Sequence, residues 1–134
     1  MNKRFKESAY YQDWIYKAGR DSDTAFLNHK HGGYTDITCY FCHQAVEKIL
    51  KAYLLQKGAK YLPRTHILPS LLFQCREHDK EFLEIKKECQ ALDCYYVETK
   101  YPATPPVDYP KKEAEIALEL VQKVLVFVKK KLKS

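Results

Sequence analysis

Long apolar runs are missing from this 134-residue sequence. No segment approaches the ~20 consecutive apolar residues that a transmembrane helix needs, so a membrane-embedded protein is excluded. The first residues, from Met1 to Glu7, are basic and polar, and they contain no apolar stretch of the kind that a secretory signal requires. The expected location is therefore the cytoplasm.

The alternation of apolar and polar residues that marks a half-buried strand is also lacking, and helical periodicity extends over most of the chain instead. The pattern predicts an all-α fold with one domain over residues 1–134. Short connections favour an up-and-down antiparallel helical bundle of four long helices plus one short helix. The predicted helices cover about 3–30, 36–57, a short stretch after residue 65, 80–98 and 111–132.

Glycine is sparse, and the glycines and prolines mark the ends of these helices. Gly32 and Gly58 follow the first two helices, where a glycine relieves the left-handed backbone conformation. Asp36 or Thr38 is expected to cap the second helix, and Thr65 is expected to cap the third. The prolines of residues 101–110 exclude a helix there and predict an extended loop.

The cysteines number five, an odd count, in a chain long enough to form a real core, which favours reduced thiols over a disulfide framework. Cys75, Cys89 and Cys94 are expected to be thiols of the core. Cys39 and Cys42 precede a histidine in the CxxCH pattern of haem attachment, but they lie on the apolar face of a predicted helix. Structural zinc needs four organised ligands, which the dispersed cysteines and histidines do not supply. No metal and no cofactor is expected.

The net charge of +6 suggests an attraction for polyanions, and lysines are concentrated near the end of the last helix. Lysines at a helix C-terminus also interact favourably with the helix dipole. The dipole interpretation is preferred to a nucleic-acid-binding tail.

A row of polar side chains follows one side of the second predicted helix. Gln44, Glu47, Lys48 and Lys51 recur at helical spacing, while apolar residues occupy another stripe. Such a row could bind a phosphate-bearing ligand, contact a partner protein, or form ion pairs in water. All three interpretations remain open at the level of the sequence.

The first helix carries a carboxylate and several aromatic rings. Asp21 lies near the predicted buried stripe and therefore needs a partner, for which a lysine of the second helix is expected. Tyr10, Tyr11, Trp14 and Tyr16 lie on more than one side of the helix. Because rings with polar groups suit interfaces, they favour a homodimer or a partner surface.

Four separated motifs together resemble the HEPN domain family (higher eukaryotes and prokaryotes nucleotide-binding). The motifs are Ala18-x2-Asp21-x3-Ala25, Gln44-Ala45-x-Glu47-Lys48-x2-Lys51-Ala52, Thr65-His66 followed by Leu71, and Tyr95-Tyr96 before Thr99-Lys100-Tyr101-Pro102. The resemblance implies a helical bundle that is commonly dimeric and often encoded beside a minimal nucleotidyltransferase, with which it forms a toxin–antitoxin-like pair. Nucleotide binding has been proposed for such domains, and a large subset are metal-independent ribonucleases.

The ribonuclease subset has an arginine followed, after four to six residues, by a histidine on a late helix. The last histidine here is His78, so the final helix cannot supply that pair. Without these residues, the usual proton transfer and charge stabilisation are missing. The expectation is a protein without catalytic residues, which leaves enzyme activity doubtful.

The expected nucleotide- or partner-binding residues lie on the second helix and on two loops, and Asp21 is expected to be a buried structural residue. Lysine stands at position 100 where the family often has arginine, which removes the bidentate fork that suits phosphate. RNA binding with or without weak cleavage, and a purely structural interaction module, are the alternatives. The residues of the candidate site are Gln44, Glu47, Lys48, Lys51, His66, Lys100 and Tyr101.

Overall fold

The computed structural model describes residues 6–102, 105 and 108–133. Every regular element in these ranges is a helix, which confirms the predicted all-α fold. None of these helices has the length and apolarity that crossing a bilayer requires. The elements are α1 (Tyr11–Lys30), α2 (Thr35–Gln56), α3 (Leu68–Arg76), a 3-10 helix (Lys80–Ile85), α4 (Lys86–Asp93), α5 (Tyr95–Lys100) and α6 (Lys111–Leu132).

Helix α2 is the centre of the bundle and packs against α1, α3, α4, α5 and α6. A turn at Gly32, with φ of 72°, reverses the chain so that α1 and α2 are antiparallel. Thr35 donates a hydrogen bond to the carbonyl of Tyr109 (2.6 Å), and Gln56 donates to the carbonyl of Leu132 (2.6 Å). The first bond joins the start of α2 to the start of α6, and the second joins the end of α2 to the end of α6. The two helices are therefore parallel, as in an up-and-down bundle.

One cluster of buried apolar side chains includes residues from every helix of the described ranges. Its largest fully buried members include Tyr53, Phe82 and Ile49. Helix α1 contributes only small or polar buried residues, namely Ala18, Asp21, Ser22 and Ala25. The backbone of α1 therefore lies close to α2, while its larger apolar side chains Tyr11 and Ile15 pack against the core and are only partly buried.

The first helix is shorter than the sequence predicted. Its expected start at Lys3 lies outside the described residues, and the helix begins at Tyr11. The hydroxyl of Ser8 accepts from the backbone N–H of Tyr10 (3.0 Å) and donates to Asp13 (2.5 Å). The Trp14 indole donates to the Ser8 carbonyl (3.0 Å). These local bonds hold the preceding segment against the first turn in a non-helical conformation.

The predicted helix over 80–98 is divided into three pieces. Asp79 caps the 3-10 helix by accepting from the N–H of Glu81 (2.9 Å). At the end of α4, the Asp93 carboxylate accepts from the N–H of Leu68 (2.8 Å) and so satisfies a free donor at the start of α3. The chain then turns at Cys94 before α5 begins.

This division changes which side chains are buried. Tyr95 is buried and donates to Glu113 (2.8 Å), whereas the next residue, Tyr96, is only half-buried. Cys94 is exposed, so its predicted place in the core is wrong. The break rotates α5 relative to α4 and interrupts the helical periodicity on which the prediction for Cys94 depended.

Two predicted caps also differ. Helix α2 begins at Thr35, so Asp36 and Thr38 lie inside its first turn, and Thr38 is buried. The Thr65 hydroxyl accepts from the N–H of Ile67 (3.0 Å), and Ile67 is the N-cap of α3. The predicted stop after α2 is confirmed, since Gly58 has a φ of 92°.

Candidate functional site

A groove of about 410 Å³ lies between the first turns of α1, the middle of α2 and the loop that precedes α3. Its lining combines an indole ring with ammonium, carboxylate and amide groups. Five of the seven residues predicted for the candidate site are among them. The lining residues are Glu7, Ser8, Asp13, Trp14, Lys17, Gln44, Glu47, Lys48, Lys51 and His66.

The polar row of α2 is largely buried, so it is not a solvated helix face. Glu47 and Lys51 are each 4% exposed and form an ion pair of 2.9 Å. Burial alone would raise the pKa of Glu47, but its bonds with Lys51 and His66 outweigh burial and hold that pKa below its usual value. Glu47 is therefore an ionised carboxylate inside the protein.

Asp21 of α1 is buried and pairs with a lysine of α2, as the sequence predicted. The Lys48 ammonium lies 2.7 Å from one carboxylate oxygen of Asp21, and that of Lys17 lies 3.6 Å from the other. Lys48 also donates to the side-chain carbonyl of Gln44 (3.1 Å). These contacts join α1 to the polar row of α2.

His43, which the sequence analysis did not single out, fixes the orientation of its neighbours. Its ring is fully buried, and burial lowers the pKa to about 4, so the imidazole is neutral at physiological pH. Nε2 lies 3.0 Å from the carbonyl of His66 and therefore carries the proton. Nδ1 then accepts from the Gln44 amide (3.2 Å). The sequence feature that could have indicated this role is the position of His43 directly before Gln44, a member of the polar row.

His66 lies at the edge of the groove, where two groups fix its ring. Its Nδ1 is 3.0 Å from both carboxylate oxygens of Glu47. The Tyr96 ring stacks on the imidazole at a centroid distance of 4.3 Å and an angle of 12°. Lys100 donates to the Tyr96 hydroxyl (2.9 Å), while Lys100 and Tyr101 are absent from the groove lining. The structure therefore places Lys100 and Tyr101 outside the groove. The ring of Tyr96 lies between Lys100 and His66.

Trp14 and Lys17 are groove residues that the sequence analysis did not assign to the site. The Lys51 ammonium lies 5.9 Å from the centre of the Trp14 ring, a cation–π contact. The i,i+4 spacing of Lys17 and Asp21 was a signal for Lys17. No pattern in the sequence indicated that Trp14 faces α2, because the non-helical segment around Ser8 positions its indole.

Cys39 and Cys42 are completely buried in the core. Burial raises the pKa of Cys39 to about 12 and also raises the pKa of Cys42, which opposes the thiolate form that metals bind. In the part of the chain that the structure describes, no group of three or more potential metal-binding residues comes together.

The family model described as HEPN domain matches residues 11–131. The crystal structure of TT1696 from Thermus thermophilus is 31% identical, with a TM-score of 0.80, and the match covers 90% of this chain and 97% of that chain. ST0689, described as an archaeal HEPN homologue, is 24% identical with a TM-score of 0.74, over 92% of this chain and 98% of its own, and it shares the fold. The search of curated proteins finds no match. Since the family model extends from the first residue of α1 into the last turn of α6, this chain belongs to the HEPN domain family.

Proposed function

We propose that this HEPN protein binds a nucleotide in the groove between α1 and α2 and acts as the non-catalytic partner of a nucleotidyltransferase-type protein in the cytoplasm. The observation that carries the proposal is the position of the Trp14 ring beside the ammonium groups of Lys17, Lys48 and Lys51 in one groove. A nucleotide needs both an aromatic face for its base and cations for its phosphates.

The lining also supports a distribution of roles. Lys48 and Lys51 are paired with buried carboxylates, whereas the Lys17 side chain is 57% exposed and is the cation best able to reach a phosphate. Glu7 and Asp13 provide acceptors for the amino and hydroxyl groups of a base or ribose. The groove volume of about 410 Å³ is in the usual range of ligand sites, roughly 300–1,000 Å³.

The absence of ribonuclease residues supports the non-catalytic part of the proposal. No histidine follows His78 in the sequence, so α6 supplies neither the general acid nor the base of the family's ribonuclease subset.

Exposed rings on the α1–α2 hairpin support a protein partner, either a second copy of the chain or a nucleotidyltransferase. Tyr10, Tyr16 and Tyr34 are strongly exposed, and Leu27 is also on the surface. Sedimentation of the chain alone, and mixed with a minimal nucleotidyltransferase, tests this part. Tyr16→Arg is expected to weaken whichever complex forms, and an unchanged complex would remove this surface from the proposal.

Calorimetric titration with ATP, GTP and their di- and monophosphates tests nucleotide binding, with the fluorescence of Trp14, the single tryptophan, as a second readout. Lys17→Ala is expected to weaken binding by about tenfold or more, because a hydrogen bond to a charged group contributes on the order of 1.5–3 kcal/mol. Lys129→Ala removes an equal charge from the exposed end of α6 and is the matched control.

Nucleotide binding that Lys17→Ala and Lys129→Ala weaken equally would place the ligand elsewhere, and no heat at millimolar nucleotide would refute the proposal. RNA binding would be recognised by a steep loss of affinity with salt, since each neutralised phosphate releases condensed counterions. That outcome would favour the RNA-binding alternative.

A further inference from the structure

The imidazole of His66 has one nitrogen engaged and one nitrogen free. Glu47 is ionised and can only accept hydrogen bonds, so in the singly protonated tautomer of His66 the proton is on Nδ1. The lone pair then lies on Nε2, to which no residue of the described ranges donates a hydrogen bond. The stacked ring of Tyr96 prevents the imidazole from tilting away from Glu47. A carboxylate that orients histidine in this way makes the other nitrogen a better base and nucleophile.

Cationic side chains line the two depressions to which this ring contributes. The half-exposed His66 lines the groove of α1 and α2 and also a neighbouring depression of about 450 Å³, which Lys51 and Arg64 line together with Glu7 and Pro63. A dianionic group attached to Nε2 would share the depression with Arg64, whereas Lys51 is held on the Nδ1 side of the ring by its ion pair with Glu47. The charge of the imidazolium ring would be stabilised by Glu47 on the opposite side.

The other histidines do not combine these properties. His43 is completely buried with both ring nitrogens engaged. His29 lies 3.7 Å from the carboxylate of Glu115, a contact made by Nε2 itself. His31 and His78 are exposed, and no carboxylate among the described residues forms an ion pair with either ring.

We infer that Nε2 of His66 is a phosphoryl-acceptor site, modified by small donors of the phosphoramidate or acyl phosphate class. In the step, the Nε2 lone pair forms a bond to phosphorus while the bond from phosphorus to the leaving group breaks. Ammonia or a carboxylate departs with that electron pair. Nδ1 keeps its proton, so the phosphorylated ring is an imidazolium paired with Glu47. This inference is independent of the proposed nucleotide binding, because neither donor contains a nucleotide.

The experiment incubates the folded wild-type protein with potassium phosphoramidate and locates the added phosphoryl group by mass spectrometry. His66 is expected to react at a rate about tenfold above that of His31 and His78, a ratio that corresponds to about 1.4 kcal/mol. The product should be labile in acid and stable in alkali. Equal reaction at the three histidines, or reaction only after unfolding, would overturn the inference.

Two pairs of variants test the surroundings of the ring. Arg64→Ala removes a cation next to His66 and is expected to slow the reaction several-fold without changing the melting temperature. Arg76→Ala is the matched control, because it also removes one arginine but at a different place, where Arg76 contacts Phe73 on α3. His66→Gln should abolish the modification, while His78→Gln should leave it unchanged. Equal rates for Arg64→Ala and Arg76→Ala would show that the local cations play no part.

Discussion

Replacing Lys48 by alanine tests whether the polar row of α2 contributes to the stability of the bundle. In the folded protein the Lys48 ammonium lies 2.7 Å from Asp21, a residue that is only 3% exposed. After the substitution, Asp21 keeps one cation within reach, Lys17 at 3.6 Å. The carboxylate would then be buried without its closest partner.

Breaking a buried pair by removing one partner costs about 3–5 kcal/mol. Since Lys17 remains, we expect the lower end of this range, about 3 kcal/mol, and for a chain of this length a melting temperature lower by about 10 °C. Asp21→Asn should cost less, about 1–2 kcal/mol, because Lys48 keeps its contact with Gln44 and can reach water.

Urea unfolding followed by circular dichroism measures these values for the two single variants and the double variant. The double variant should cost at least about 1 kcal/mol less than the sum of the singles, because both remove the same interaction. Lys129→Ala, an exposed control, should change stability by less than about 0.5 kcal/mol. Additive effects, or a Lys48→Ala protein as stable as the control, would refute the buried pair.

Three further outcomes are expected. The free energy of unfolding should fall by about 3 kcal/mol as the pH is lowered from 6.5 towards 4, because the unfolded chain protonates His43 in this range while the folded protein, with a pKa of about 4, does not. Urea titrations across this range measure the slope, which a non-titrating His43→Gln variant should reduce. Tyr95→Phe should cost about 1 kcal/mol through loss of the bond to Glu113, whereas the exposed control Tyr61→Phe should cost nothing measurable in the same assay. A maleimide should label Cys94 alone in the folded protein, because the other four thiols are buried. The labelling should become faster as the pH rises, because the pKa of Cys94 is about 11 and the thiolate is the reactive form. Mass analysis that showed labelling of the buried thiols at a similar rate would contradict the packing.

The fold could be predicted from the sequence because helical periodicity and turn residues act locally. The stop at Gly58 and the limits of α6 follow from such signals. The division of the helix predicted over 80–98 could not be read in this way. It depends on Asp93, which satisfies the start of α3 twenty-five positions earlier in the chain. A contact of that kind is determined by tertiary packing and leaves no periodic pattern.

The polar row of α2 could be predicted from the sequence, but its environment could not. The spacing of Gln44, Glu47, Lys48 and Lys51 places them on one side of α2, but spacing does not reveal what covers that side. The covering group is α1, whose small residues allow close approach, so the row is a buried network. The stack of Tyr96 on His66 could not be predicted from the sequence either, because it results from the rotation of α5 after Cys94.

The small buried residues of α1 have a consequence for the motions of the protein. Ala18 and Ala25 bury little apolar area, so the attachment of α1 to α2 depends strongly on the bond between Asp21 and Lys48. Local openings have a free energy that follows the contacts they break. Amide hydrogens of α1 should therefore exchange with solvent through a sub-global opening that leaves α2 and α6 protected. A ligand that bridges Trp14 and α2 would suppress this opening, so its binding would be recorded as slower exchange along the whole of α1.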